Sequence, residues 1–316
     1  MKRRVRQLDE FELPTIELAT KQPGPVVVVT ANVHGNEYTG VSAIIALNDC
    51  LADFLTKGKV LLYPSVNPRG LKSQSRNVPD DGQDLNRLFP GDTKGSPSAR
   101  LAAALWRDIS VHKPTVLIDL HADSVQCIPY SIIDRPVSMH TKARNTMWAT
   151  LQRCAAATGL TVLHEYRDDE YLRYGLDRSL TGAMVNRAGV PAVTIEAGPR
   201  GAVDLAAVET QIRAVMGVLS ELKMVSASES AHPTRVLGGP WRRAPTPRIR
   251  VAGMFFPLVP AGEKFESGEC LGIIKGLTGT VVDSILARQR GVVVSWVDAG
   301  WVAAGSVPGT LGIIDE

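Results

Sequence analysis

Strand-like and helix-like stretches alternate through residue 224, which predicts an α/β fold. The expected core is a mostly parallel, doubly wound sheet with helices on both faces. Three observations carry this prediction. The run Val26-Val27-Val28-Val29 suits a strand buried on both faces, as in a parallel sheet. Three strand-like stretches end in a charged or metal-capable residue: His34 with Glu37, His121, and Glu196. That is the edge at which open α/β sheets carry ligands. Beyond residue 248, short apolar runs separated by glycines predict a small C-terminal all-β domain.

In order, residues 1–24 are polar and mixed, and read as an edge strand and a loop. Residues 26–30 are the first clear strand. Residues 40–55 read as a helix, with Val41, Ile44, Ile45 and Leu47 on one side. Residues 60–63 form a short strand closed by Pro64. Residues 67–95 have little periodicity and are rich in Asn, Asp, Gly, Pro and Arg. A loop this long inside a compact domain is usually functional, and its embedded Leu85, Leu88 and Phe89 argue for order. Residues 99–111 read as a helix and 115–120 as a strand. Residues 139–159 read as a helix stopped by Gly159, and 179–188 as another, ended by Gly189 and Pro191. Residues 192–195 are a strand and 203–224 the last long helix. The Ser-, Pro-, Gly- and Arg-rich stretch 226–248 reads as a linker between a domain of residues 1–225 and a β domain of residues 249–316.

The totals are those of an ordinary globular protein. The 316 residues are 44% hydrophobic and 21% charged, enough for a sizeable core. A net charge of +3, few aromatics and no basic stripe argue against nucleic acid. No stretch approaches the roughly 20 apolar residues that span a bilayer, and the basic start is followed by acidic residues, not an apolar run. Membrane and secretory roles are therefore not expected. Cys50, Cys127, Cys154 and Cys270 are scattered without CxxC pairing and read as reduced thiols of a cytoplasmic protein.

His34 and Glu37 lie three residues apart just after the first buried strand. An imidazole and a carboxylate suit a divalent zinc ion, so these two are expected to be two of three protein ligands to a catalytic zinc. HxxE alone is common among solvated loop residues, and the rest of the pattern gives it weight.

HGNE (34–37), DGQDLNRLFPG (81–91), DLH (119–121) and TIEAG (194–198) occur in this order. Together they resemble the succinylglutamate desuccinylase/aspartoacylase family of zinc deacylases, within the zinc carboxypeptidase superfamily. The resemblance spans about residues 25–220 and implies a zinc carboxypeptidase-like sheet. It implies that His34, Glu37 and His121 hold one zinc per subunit, a catalytic donor set with room for water. Glu196 matches the general base and acid. Asn86 and Arg87 match a pair that holds a substrate carboxylate. Arg76 resembles an arginine that stabilises the oxyanion, with Arg69 as the fallback register. Asp84 matches a carboxylate that orients His34. Asp119 and Asp123 read as loop or turn residues.

The implied activity is hydrolysis of the amide bond of a small N-acyl amino acid. The alternatives are a metallocarboxypeptidase acting on peptide C-termini and a catalytically silent zinc-binding module. The C-terminal part resembles a biotinyl/lipoyl-like sandwich, but the turn at 287–291 lacks a carrier lysine. Its apolar strands allow a homo-oligomer.

Overall fold

A computed structural model describes residues 2–226 and 235–315. It begins with strands β1 (Lys2–Leu8), β2 (Leu13–Ala19) and β3 (Val26–Ala31), followed by helix α1 (Thr39–Phe54) and strand β4 (Lys59–Tyr63). Helices α2 (Pro68–Ser73) and α3 (Pro97–Ser110) lead to β5 (Val116–Asp123) and β6 (Tyr130–Ile133). Then come α4 (Thr141–Ala157), β7 (Thr161–His164), α5 (Asp168–Arg173), α6 (Leu180–Ala183), β8 (Ala192–Pro199) and α7 (Leu205–Glu221). The C-terminal strands are β9 (Trp241–Pro245), β10 (Gly253–Pro257), β11 (Lys264–Phe265), β12 (Cys270–Lys275), β13 (Val281–Leu286), β14 (Gly291–Trp296), β15 (Trp301–Val302) and β16 (Gly309–Ile314).

Twelve strands form one sheet in the order β1-β2-β4-β3-β5-β8-β6-β7-β9-β16-β14-β11. Its centre, β4-β3-β5-β8, is parallel. The valine-rich β3 lies between β4 and β5, which is why its side chains are buried on both faces. Because β3, β5 and β8 run the same way, His34, His121 and Glu196 reach the same edge. β6 reverses direction against β8 and pairs in parallel with β7, which pairs in parallel with β9. Helix α7 packs against both α1 and α4, and all three lie on the strands of the sheet. Among the described residues, no helix is long and apolar enough to cross a membrane.

β10, β12, β13 and β15 form a second, antiparallel sheet. A second apolar core, with Phe255, Leu271, Ile274, Val293, Trp296 and Leu311, fills the space between it and the C-terminal strands of the large sheet. Fully buried Trp296 anchors this core and donates its Nε1–H to the Val259 carbonyl at 2.8 Å.

Several elements differ from the sequence expectation, each for a local reason. Within the first 24 residues, 2–19 make a two-stranded hairpin on the sheet edge, not one strand and a loop. β6 and β7 have four residues each, too short for a periodic signal. The 67–95 loop contains α2, started by Pro68 with Asn67 Oδ1 accepting from Gly70 N at 2.9 Å. The expected 179–188 helix is one α-helical turn continued as a π turn. Within the expected 226–248 linker, 227–234 lie outside the described residues, but Trp241–Pro245 is strand β9, paired with β7 and β16. Its two arginines hide the strand pattern: Arg242 and Arg243 point to carboxylates distant in sequence, Asp315 and Glu165.

Candidate active site

The turn after β3 is built before it is functional. Asn32 adopts a left-handed conformation (φ 63°), which Asn tolerates better than most residues. Its buried Nδ2 donates to the carbonyls of His34 and Glu37, both at 3.0 Å, and Ser65 Oγ donates to its Oδ1 at 2.7 Å. One side chain thus fixes the HGNE turn from inside. Gly35 lets a second chain approach: a Cβ there would stand 2.1 Å from the Gly70 carbonyl carbon. Gly35 N donates to the Arg76 carbonyl at 3.2 Å, so the loop bearing Arg76 and Asp84 is held against the turn.

His34, Glu37 and His121 are all buried, and one donor atom from each lies within 4.8 Å of the others. Both histidines turn Nδ1 toward the Glu37 carboxylate, His34 at 2.8 Å from Oε1 and His121 at 2.9 Å from Oε2. Their rings lie 5.1 Å apart. Burial pushes the Glu37 carboxyl upward, but the two imidazoles outweigh it and hold the group well below the usual range. Burial lowers His121, yet Asp119 and Glu37 outweigh that and hold it well above. Two nitrogens and a carboxylate converging in a buried position suit a zinc ion.

The outer nitrogens face carboxylates. Asp119 lies two residues before His121 on β5, hence on the same face. Its Oδ2 meets His121 Nε2 at 2.9 Å, and its Oδ1 accepts from Thr30 Oγ1 at 2.7 Å. Asp119 is therefore a buried strand residue bonded to a candidate ligand, not a turn residue. Asp84 Oδ1 lies 3.4 Å from His34 Nε2, within ion-pair reach but outside hydrogen-bond geometry, so this buried nitrogen has no hydrogen-bond partner.

Glu196 on β8 stands opposite His121 on β5 and Tyr130 on β6. Its Oε2 is buried without a hydrogen-bond partner. Burial pushes its carboxyl up to about 7; His121 and Arg200 pull it down, while Glu37 and Asp123 add to the rise.

Cationic groups surround this set. Arg76 reaches Asp84 Oδ2 (3.1 Å) and stands 3.9 Å from Glu37 Oε1. Arg69, the alternative, pairs with Asp80 and has 54% of its side chain exposed. Asp84 starts a short 3-10 turn by accepting from Asn86 N at 2.9 Å. Asn86 Oδ1 accepts from Leu180 N (2.8 Å), and Arg87 Nη1 donates to the Asn86 carbonyl (2.7 Å).

Sequence reasoning passed over Arg200. Its Nε stands 3.7 Å from Glu37 Oε1, and its Nη2 donates to Asp123 Oδ1 at 3.1 Å. Asp123 also accepts from the Tyr130 hydroxyl at 2.9 Å. The available signal was that Arg200 follows Glu196 by four residues at the same strand end.

A buried His–Glu–His set at the carboxyl edge of a mixed α/β sheet defines a protein of the metallocarboxypeptidase fold class. In keeping with this, a metallo-carboxypeptidase from Burkholderia cenocepacia shares the fold over 70% of this chain and 65% of its own, with a TM-score of 0.52 at 16% identity. The sequence pattern described as "Succinylglutamate desuccinylase/Aspartoacylase catalytic domain" matches residues 23–222, and the chain belongs to that family. A solved succinylglutamate desuccinylase/aspartoacylase from Rhodobacter sphaeroides superposes with a TM-score of 0.80 at 23% identity, covering 96% of this chain and 90% of that one. Among curated proteins, the N-alpha-acetyl-L-2,4-diaminobutyric acid deacetylase of Halomonas elongata is 31% identical over 118 residues. That match spans 37% of this chain and about a third (34%) of the relative's length.

Proposed function

We propose that this chain is a zinc-dependent hydrolase of the amide bond in small N-acyl amino acids, releasing a carboxylic acid and a free amino acid. One observation carries the reading: a buried His34–Glu37–His121 donor set beside the unpartnered carboxylate of Glu196. These three residues would hold one zinc per subunit, with Asp119 and Asp84 orienting the histidines. When bound, zinc supplies a water of lowered pKa and polarises the acyl carbonyl. Glu196 takes a proton from the attacking water and delivers it to the departing amine. Arg76, beside the Glu37 carboxylate, donates to the oxyanion. Asn86 Nδ2 and the Arg87 guanidinium grip the carboxylate of the amino-acid half.

Residues 1–225 form the catalytic unit in this reading, and β9 (Trp241–Pro245) joins its sheet to a β unit of residues 249–316. The four free cysteines fit a cytoplasmic setting. The name of the Halomonas relative makes N-acetylated diaminobutyrate one candidate substrate. A carboxypeptidase would use the same zinc set and differ in accepting longer peptides.

The test is amine release from N-acyl amino acids and short peptides by zinc-loaded enzyme, with and without chelator. Chelator-sensitive release from the small substrates is expected. Release from peptides alone would turn the reading to a carboxypeptidase. Glu196→Gln should keep stoichiometric zinc and lose turnover by about 10²–10⁴-fold. Undiminished turnover in that variant removes Glu196 from the mechanism.

A further inference from the structure

β5 and β8 pair residue for residue as far as His121 and Glu196, which stand opposite one another. Beyond them the register slips. Ala122 alone faces Ala197 and Gly198, and pairing resumes at Asp123 and Pro199. Such a bulge interrupts the ladder and leaves backbone groups without their strand partners. Here it begins directly after the candidate metal ligand and the candidate base.

Two side chains take up the freed groups. Ala122 N turns to the Glu37 carboxylate and donates to Oε2 at 3.2 Å. Gln211 of α7, with no exposed surface, meets the bulge from the helix side. Its Nε2 donates to the His121 carbonyl at 2.7 Å and reaches the Ala197 carbonyl at 3.4 Å. Both partners are acceptors, so the amide nitrogen and not the oxygen must face them. One amide group therefore ties the strand of the ligand to the strand of the base, beside each. The approach of α7 is built for this contact. Gly198 has φ 82°, and a Cβ there would stand 2.8 Å from the Cβ of Ala207, one helical turn before Gln211 on the same face. Gln211 Oε1, by contrast, is buried with no hydrogen-bond partner. A side chain wanted only to fill the core would do better as methionine, of the same length and with no orphaned oxygen.

We propose that Gln211 is a positioning residue of the hydrolytic site: it closes the bulge between β5 and β8 and so fixes His121 relative to Glu196. The inference rests on the hydrolase reading for what that separation serves. The contacts of His121 with Glu37 and Asp119 do not involve Gln211, so zinc binding should survive its loss. Alignment of the base should not, and a misplacement of about 1 Å is enough to slow an enzyme about 10²-fold.

The test replaces Gln211 with Met and, separately, with Asn, which holds the amide one methylene short of the carbonyls. Thr210→Val is the control, because the Thr210 hydroxyl bonds back within α7 to the Ala206 carbonyl at 2.8 Å. Kinetics are measured on zinc-loaded enzyme with the N-acyl amino acid that the wild type cleaves fastest. In both Gln211 variants kcat should fall about tenfold or more, with KM within about twofold and zinc still stoichiometric. Thr210→Val should keep both constants. In metal-free protein carrying isotope-labelled alanine, the Ala122 amide should exchange with solvent about tenfold or more faster in the Gln211 variants, while Ala43 of α1 and Ala214 of α7 keep their rates. With an active wild type, a folded Gln211 variant that shows only one of these two effects, or neither, would overturn the positioning role. So would a loss of kcat shared by Thr210→Val, or faster exchange uniform across the alanines. Failure of both Gln211 variants to fold would overturn it too, because the bond would then carry the fold as a whole. Selective exchange at Ala122, with no amine released from any substrate even by the wild type, would leave Gln211 holding the bulge and sink the hydrolase reading.

Discussion

At the scale of single residues, the site depends on carboxylates that do not face its centre. Asp119 is the clearest case. It is 1% exposed, and its two oxygens join β3 to the outer nitrogen of His121 through Thr30. Such partners fix the tautomer and orientation of a metal-binding imidazole, and their loss costs about 10–100-fold in metal affinity. Asp119→Asn should therefore bind zinc about 10–100-fold more weakly, with activity recovering as zinc is added in excess. Unchanged affinity in a zinc-competition titration would mean that Thr30 and the strand backbone alone orient His121. The ligand candidates were legible from sequence because imidazole and carboxylate at strand ends are chemically conspicuous. Asp123 was misread as a turn residue because β5 continues to it, three residues past the apolar run; Asp119, inside that run, shows its role only through Thr30 and His121, which it meets in the fold. Arg200 was missed because an arginine shows its role only through the carboxylate it meets, here Asp123, which is not near it in sequence.

At the scale of elements, two glycines set the distance between the HGNE turn and the loop that brings Arg76 and Asp84. A methyl group on Gly35 would sit 2.1 Å from the Gly70 carbonyl carbon, a backbone atom that cannot swing away. One on Gly70 would run into the Asn67 side chain that caps α2. Gly35→Ala should thus push the loop off the turn, break the Gly35 N–Arg76 O bond and destabilise the fold by at least about 2 kcal/mol. Activity should fall further than stability accounts for, because Arg76 and Asp84 move together. Gly238→Ala is the control, since a Cβ there meets nothing within 4 Å. A Gly35→Ala enzyme as stable and active as that control would show that the loop is placed by other contacts. The long strands and helices were readable because each buries a repeating face. The short β6, β7 and α2 were not, because they are held by neighbours and caps, not by their own pattern.

At the scale of the whole molecule, one sheet runs from the N-terminal hairpin to the last strands, so the C-terminal part is built onto the catalytic part through β9. The chain end secures this joint: Asp315 accepts from Arg135 Nη2 at 2.9 and 3.0 Å and meets His164 Nδ1 at 2.6 Å. Nearby, the 3% exposed Asp134 at the end of β6 accepts from the Tyr171 hydroxyl of α5 at 2.8 Å. Burial, reinforced by Glu165, pushes its carboxyl up to about 7 against the pull of Tyr171, Thr181 and Arg87. A carboxyl raised from 3.8 to about 7 on folding is held more tightly protonated in the native state. Its contribution is then fully present below about pH 4 and is lost as pH rises through 7. About three pKa units correspond to at most roughly 4 kcal/mol. Asp134→Asn keeps an oxygen for Tyr171 but cannot ionise. Thermal melts of zinc-loaded protein should show the wild type losing stability between pH 5 and 8 and the variant losing distinctly less. Every other titrating group, Glu196 among them, is common to both proteins, so the difference between their curves belongs to Asp134. Parallel curves would mean that Asp134 is ionised throughout, with Arg87 close enough to neutralise it.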